Sequence, residues 1–502
     1  MKKPLRLSLI LFASLCTVIT PLASSMNTTQ GRNTFTLPPS VYTLPLGISA
    51  NYSLVTPRCN IPVILEAGNT FTITFTADAF TAVYAYLSTA YEPVVDTYWL
   101  SLTNITQHNT SWTMTAAVPP VATKELYNLT LLFNADGVLL TSTQPRAVSI
   151  THISNTFTFI QISDFHLGDP RGIQTSIRQT LYERSLLRTV NEVNLLHPDF
   201  ILMTGDLVYG QPIRGVYAQE YPKLYDILQK FDEPTFLVPG NHDGINRIGE
   251  DGFTYWRHYF GPMNFSFNYG SVHFIGVNSF DMTPRERFGL AFAPLYWGGA
   301  VSNEQLAWIN NDLNQTTNAT STIMFLHHNP LWDCVNNSLD GHHYTNQQGL
   351  LATIASHHIA FVLSGHVHWD SLNVVNGTTF ITTTTPESSI CKNDSYWGYR
   401  LITVVNGTVA SYNYKDPYYS IPLYHLQASF SKNLRTAIVT SSLEKNETGV
   451  LRFVLPDAQY TVSPGAILEE RHDGTHVELY VQVAIPMNST QTVTVTRSLA
   501  LE

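Results

Sequence analysis

Along this chain the spacing of apolar positions changes twice. From Asn27 to Ile153 they fall in short runs rich in Thr, Val and aromatic residues. Thr70–Thr76, Val83–Leu87, Trp112–Val118 and Tyr127–Phe133 are examples, divided by Gly, Pro, Asn and Asp. Short strands at that spacing predict a β-sandwich. From Thr156 to Tyr414 strand-like and helix-like runs alternate. Phe157–Ser163, Phe200–Thr204, Thr235–Val238, Thr322–Leu326 and Ala360–Leu363 read as strands. Ile177–Leu196, Tyr217–Lys230 and Gln347–Ser356 read as helices. Phe265–Asn268 and Val272–Asn278 read as a hairpin through Tyr269-Gly270, and Ser302 with Gln305 as a capping box opening a helix through Leu313. Such alternation predicts an α/β layered core. Beyond Ser429 the pattern returns to strands: Thr436–Thr440, Gly449–Val454, His476–Ile485 and Gln491–Thr496. The expected organisation is an N-terminal β-sandwich over 26–153, of immunoglobulin or fibronectin type, an α/β domain over 154–416, a Tyr- and Pro-containing linker over 417–428, and a C-terminal β domain over 429–502.

Composition adds where the chain goes and what it does not bind. At 502 residues it exceeds one compact domain. Lys2, Lys3 and Arg6 precede an apolar stretch, Leu7 to Ile19, and the small residues Ala23, Ser24 and Ser25. This reads as an export signal over 1–25, hence a secreted or cell-surface protein. The alternative is an uncleaved anchor, but the stretch is short of the ~20 residues a spanning helix needs. No later segment is long and apolar enough to span, so no transmembrane segment is expected after signal removal. Asn-x-Ser/Thr sequons occur at Asn27, Asn51, Asn104, Asn109, Asn128, Asn264, Asn314, Asn318, Asn336, Asn376, Asn393, Asn406, Asn446 and Asn488, fitting a glycoprotein. Beyond Cys16 in the signal, Cys59, Cys334 and Cys391 remain; a Cys334–Cys391 bridge and three free thiols both stay open. Net charge is −10 with no Lys/Arg run, which disfavours a nucleic-acid partner.

The chemistry lies in motifs that follow strands of the middle region. They are Ser163-Asp164-Phe165-His166, Gly205-Asp206, Gly240-Asn241-His242-Asp243, His327-His328-Asn329-Pro330 and Gly365-His366-Val367-His368. In open α/β sheets the carboxyl ends of strands are where ligands bind, so one rim gathers carboxylates, an amide and imidazoles. That donor set suits Zn, Mn or Fe. A carboxylate can bridge two ions, and two ions ~3.5–4 Å apart can grip a phosphoryl oxygen and activate a water. The glycine beside each motif is expected to let the backbone turn sharply.

These motifs, in this order from Asp164 to His368, resemble the calcineurin-like metallophosphoesterase superfamily. The resemblance implies a central four-layer αββα sandwich between the flanking β domains. It implies two divalent or mixed-valence metal ions. Asp164, His166 and His368 would hold the first, Asn241, His327 and His366 the second, and Asp206 would bridge. His242 would face the substrate, stabilising charge or protonating the leaving group, with Asp243 orienting it. Gly205-Asp206-Leu207-Val208-Tyr209 is also similar to the purple acid phosphatase branch, where the Tyr ligates iron. That branch lacks the histidine retained here as His166, so Tyr209 reads as pocket wall or core. Tyr255–Pro262, Tyr269–Phe274 and Glu304–Trp308 resemble segments of the cyclic-nucleotide and glycerophosphodiester phosphodiesterase branch.

Each residue has a plainer alternative. Asp164 and Asp206 could cap helices, and Asn241 could serve a turn. Either His327 or His328 could be the ligand; the resemblance places the ligand three residues before Pro330, which implies His327 and leaves His328 to contact substrate. Asp340, His342 and His343 could line the pocket but read as exposed loop residues, Arg171 could hold a phosphate oxygen but reads as a surface residue, and His357 and His358 read as closing a helix. The expected function is a secreted metal-dependent phosphoesterase acting on mono- or diesters of a small molecule or lipid headgroup. The alternative is a cell-surface binding protein with an inactive fold of this type.

Overall fold

A computed structural model describes residues 52–498, apart from 136, 170–180, 211–213, 291–292, 295, 317, 333–334, 338–340 and 393–394. The export signal, Arg171, Cys334, Asp340, the start of the helix expected from Ile177, and the sequons at Asn27, Asn51 and Asn393 lie outside the described residues, as do the side chains of Asn336, His342 and His343.

The middle region is α/β, built on two six-stranded sheets. In the first, β1 (Phe157–Ile162), β2 (Phe200–Thr204) and β3 (Thr235–Val238) run parallel, while β10 (Gly398–Val405) pairs antiparallel with β1 and β11 (Thr408–Ser411) extends the edge. In the second, β4 (Phe265–Tyr269) forms the expected hairpin with β5 (Val272–Gly276). Next come β6 (Ser321–Phe325) and β7 (Phe361–Ser364), all parallel to β5, then β9 (Thr378–Thr382) and its antiparallel partner β8 (Ser371–Val375).

Aromatic residues from both sheets meet in one cluster. Phe157, Phe159, Phe200 and Phe236 of the first face Phe265, Phe274 and Phe325 of the second. The strands are buried on both faces, which is why they read as continuous apolar runs rather than alternating ones. On the outer side of the first sheet pack α1 (Leu181–Leu196), α2 (Tyr217–Leu228) and α3 (Gly252–Tyr259). On that of the second pack α4 (Asn303–Gln315) and α5 (Gln347–Ser356).

The capping box expected at Ser302 is only half formed. Ser302 Oγ accepts the Gln305 N–H at 3.1 Å, but the Gln305 side chain turns inward to the backbone of Asn278 and to Asp281. The Ser302 N–H is taken by Asp281 Oδ2 instead. A buried amide of β5's exit loop needed those partners, and tertiary demand outweighed the local motif.

On the N-terminal side, two sheets share a core that includes Leu54, Ile73, Phe75 and Met114 from one and Leu87, Leu131 and Phe133 from the other. On the C-terminal side, strands between Leu426 and Arg497 form two further sheets whose apolar faces join the cluster around α1. Within 417–428, Ile421–Pro422 pairs with β10 and Leu426 already starts a strand. Arg146, from the N-terminal side, is buried against the middle region, donating to the carbonyls of Leu228 and Glu233. Arg471, from the C-terminal side, is buried among Glu125, Glu478 and Asp96. Cys391 carries a free thiol near Ser395 O.

Candidate metal centre

Every predicted ligand sits just past a strand's carboxyl end, and the two sheets bring those ends to one rim. Asp164 and His166 follow β1, Asp206 follows β2, and Asn241 and His242 follow β3. His327 follows β6, and His366 and His368 follow β7. Asp164, His166, Asp206, His366 and His368 all have positive φ, between 47° and 74°. Non-glycine residues avoid that region, and such conformations gather where surrounding structure holds a functional geometry.

The glycines act in two ways. Gly205, at φ 88°, makes the sharp turn expected of it. Gly240 and Gly365 do not; they allow close approach. A Cβ on Gly240 would lie 2.2 Å from Asp206 Oδ1, and one on Gly365 would lie 2.5 Å from Asp164 Oδ2.

The donor atoms converge. Asp164, His166 and His368 place ligand atoms within 4.8 Å of one another, as do His166, Asp206 and His242, and Asp164, Asp206 and His327. His368 Nε2 stands 3.3 Å from Asp164 Oδ1, and His327 Nε2 3.0 Å from Asp206 Oδ2. His368 Nε2 also faces His166 Nε2 at 3.2 Å, and His366 Nδ1 faces His327 Nε2 at 3.2 Å. The outer nitrogen of His327 donates to Thr204 O at 2.6 Å and that of His368 to Ile390 O at 3.2 Å. A carbonyl behind an imidazole is the usual way a ligating ring's tautomer is fixed, with the opposite nitrogen turned towards the metal. Asp164 Oδ1 and Asn241 Oδ1 are buried acceptors with no hydrogen-bond donor. Buried polar atoms rarely stay unpaired, so these too fit metal ligation.

The electrostatics agree. Burial opposes ionisation of Asp164 and Asp206, but the surrounding imidazoles, led by His368 and His327 respectively, hold both carboxyls well below their ordinary range. Burial pushes His166 down to about 4 and His366 down to about 3, neighbouring imidazoles adding to the effect. Burial disfavours the charged form of His327 as well, yet Asp206 and Asp164 raise it to about 10. The rim thus combines buried carboxylates with imidazoles of which His166 and His366 are pushed towards the neutral form, a donor set matched to divalent cations.

The choice between His327 and His328 is made by their partners. His328 is fully buried, with Nδ1 on Ser279 Oγ at 2.9 Å and Nε2 on Trp297 O at 2.8 Å. Both its nitrogens are engaged by the protein, so it supports the rim, although a ring nitrogen of His328 also lies within 4.8 Å of those of His327 and His366.

Asp243 differs from its expected role. It does not touch the His242 ring. Its Oδ1 accepts the N–H groups of Leu207 (3.0 Å) and Val208 (3.1 Å), and its Oδ2 that of Gly240 (2.8 Å). Burial, reinforced by the charge of Asp206, lifts its carboxyl to about 7. Asp243 therefore ties the loop after β2 to the loop after β3. The His242 ring is oriented by the Tyr209 carbonyl, 2.6 Å from Nδ1, which leaves Nε2 for chemistry. The Tyr209 ring, 8% exposed, stacks on His242 with centroids 5.4 Å apart.

Three residues escaped the sequence reading. Tyr217 and Tyr221 of α2 donate to the carbonyls of His242 (2.7 Å) and Asp243 (2.8 Å), and Glu220 accepts the Gly210 N–H at 2.8 Å. Tyr217 and Tyr221 share one helix face, a visible pattern, but apolar packing explains such a face equally well.

Comparison with known proteins places this geometry. Residues 157–370 match the calcineurin-like phosphoesterase family. A probable cyclic nucleotide phosphodiesterase of Moraxella catarrhalis is 29% identical over 227 residues, covering 43% of this chain and 72% of the relative. A 3',5'-cyclic-nucleotide phosphodiesterase of Nostoc is 29% identical over 221 residues, covering 41% of this chain and 70% of the relative. A probable glycerophosphodiester phosphodiesterase of Arcobacter nitrofigilis is 20% identical over 235 residues, covering 46% of this chain and 79% of the relative. Through residues 157–370 the chain belongs to the calcineurin-like metallophosphoesterase superfamily.

Proposed function

We propose that this protein hydrolyses phosphodiesters at the rim formed by its two central sheets, using a dinuclear metal centre. The observation that carries the reading is the convergence of Asp164, His166, Asp206, His327 and His368 in overlapping clusters, beside buried acceptors on Asp164 and Asn241 that no donor satisfies. Asp164, His166 and His368 would hold one ion, Asn241, His327 and His366 the other, and Asp206 would serve both. Bound ions would supply Lewis-acid polarisation of the phosphoryl group and a water of lowered pKa. The chain's own residues do the rest. His242 keeps its Nδ1 proton on the Tyr209 carbonyl and presents Nε2, where a proton can be delivered to the departing oxygen. Asp243, Tyr217 and Tyr221 fix the backbone that carries His242 and Asn241.

The test is turnover of bis-(p-nitrophenyl) phosphate against p-nitrophenyl phosphate, with and without chelator. Chelation should abolish turnover and Mn or Zn should restore it, the diester being preferred. Full activity in a metal-free Asp206→Ala protein would refute the mechanism.

The same reading extends to architecture and location. The two-sheet core with helices on both outer sides is proposed as the four-layer sandwich, flanked by β-sandwich domains over 26–153 and 429–502. Export through residues 1–25 is proposed with glycosylation; Asn104, Asn109, Asn314, Asn318, Asn376, Asn406, Asn446 and Asn488 are exposed and accessible to it. Asn128 is not. It is buried, with its side chain held by Thr89 O and the Arg146 N–H. N-terminal sequencing and glycopeptide mapping of protein recovered from the medium test both.

A further inference from the structure

Two indoles stand on the loops that carry the second sheet's ligands. Trp369 directly follows His368, and Trp332 lies in the loop that leaves β6 after His327. Their rings are parallel to within 5°, with centroids 5.9 Å apart, so the pair bridges the two loops. Both rings are half-buried, and neither belongs to any hydrophobic core cluster among the described residues. The neighbouring imidazoles show where the rim opens: His327 is fully buried, whereas His366, on the same loop as Trp369, is partly exposed. A third indole, Trp297, is 45% exposed, and its carbonyl is bound by His328. Lys392 is exposed, with its Nζ 5.6 Å from the centre of the Trp369 ring. Its backbone N–H donates to His368 O at 3.0 Å, which ties the lysine to the ligand loop.

We propose that Trp332 and Trp369, with Lys392 beside them, form a specificity subsite that stacks a planar aromatic group of the substrate, such as a nucleobase, next to the metal centre. Indole faces take up flat π-systems with little regard to their hydrogen-bonding pattern. They would also attract a quaternary ammonium, but the Lys392 cation repels one and favours a neutral or anionic ligand. The subsite therefore selects nucleoside esters over choline or plain glycerol esters. This inference rests on the phosphodiesterase reading.

The test uses the full chain loaded with Mn²⁺ and the methyl esters of adenosine 5'-monophosphate and glycerol 3-phosphate, which share the same reacting diester. The wild type should favour the adenosine ester by about tenfold in kcat/KM, equivalent to about 1.4 kcal/mol, expressed mainly in KM. Trp332→Ala should bring that ratio close to one, and Trp332→Phe should keep most of it. Lys392→Glu should raise relative turnover of glycerophosphocholine. A wild-type ratio near one, or a ratio unchanged in Trp332→Ala, overturns the subsite. Calorimetry with adenosine 5'-monophosphate and glycerol 3-phosphate decides the point separately: tighter binding of the nucleotide, lost in Trp332→Ala, supports the subsite, and equal binding overturns it. If neither ester is hydrolysed, the phosphoesterase reading fails and the calorimetry still decides the subsite.

Discussion

Replacing Asp243 separates two accounts of how this rim is held. If Asp243 oriented His242, its loss would slow chemistry and leave the metals in place. The structure places it elsewhere, with its carboxylate accepting N–H groups from Leu207, Val208 and Gly240, all fully buried. In Asp243→Asn the amide oxygen can keep the Leu207 and Val208 bonds. The amide NH₂ then confronts the Gly240 N–H, donor against donor. One lost bond to a charged acceptor, with a buried donor stranded, costs about 1.5–3 kcal/mol. Asp243→Ala strands all three donors, for about 3–9 kcal/mol if each costs ~1–3. The damage falls on the metal centre because Gly240 abuts Asp206 and precedes Asn241. The expected result is a melting temperature lower by roughly 2–4 °C per kcal/mol in a domain of this size. Metal affinity should weaken in parallel, in the order Asn before Ala, with kcat largely recovered for Asp243→Asn at saturating metal. Thermal melts, metal content by mass spectrometry and kinetics across a metal titration measure this. A variant with unchanged melting and full metal occupancy, but kcat down a thousandfold at saturating metal, would refute the clamp and restore the orienting role.

Other outcomes follow from the same geometry. His242→Ala should retain its metals and lose about 10²–10⁴ in kcat, since only proton delivery is removed; loss of metal on this change would make His242 a ligand. Burial raises Glu220 to about 8, so the folded state holds a proton the unfolded chain releases near 4.5. Stability from this group is complete below that lower value and is lost as pH rises to about 8. Denaturant melts from pH 5 to 9 should show a downward slope that Glu220→Gln flattens; an unchanged slope contradicts this. Arg471→Met removes the cation shared by Glu125, Glu478 and Asp96; Glu478 keeps Arg452, but buried Glu125 loses its cation, and breaking a buried pair costs about 3–5 kcal/mol. Limited proteolysis should then cut more readily between the N-terminal strands and the C-terminal sheets, and an unaltered pattern would show that the cluster does not hold them together.

The sequence was informative where function sits on short motifs at strand ends. Asp164, His166, Asp206, His327, His366 and His368 stood out as polar residues following apolar runs such as Phe200–Thr204, and their expected roles as ligands came from the order of the motifs and the family it resembles. His327 and His328 could not be told apart by physical reasoning, since the difference lies in Thr204, Ser279 and Trp297, all distant in the chain. Asp243 was assigned wrongly for a similar reason: its partners are backbone amides, and no side-chain pattern announces them. Gln305 illustrates the reverse, a local capping signal half overruled by buried amides at Asn278. Trp332 and Trp369 carry no motif at all, and only the packing of two loops makes them a pair.

Anomalous diffraction from metal-loaded crystals shows whether one rim holds two cations with Asp206 between them. Two anomalous peaks ~3.5–4 Å apart are expected, one beside Asp164, His166 and His368 and one beside Asn241, His327 and His366. A single peak, or peaks away from these side chains, would contradict that arrangement.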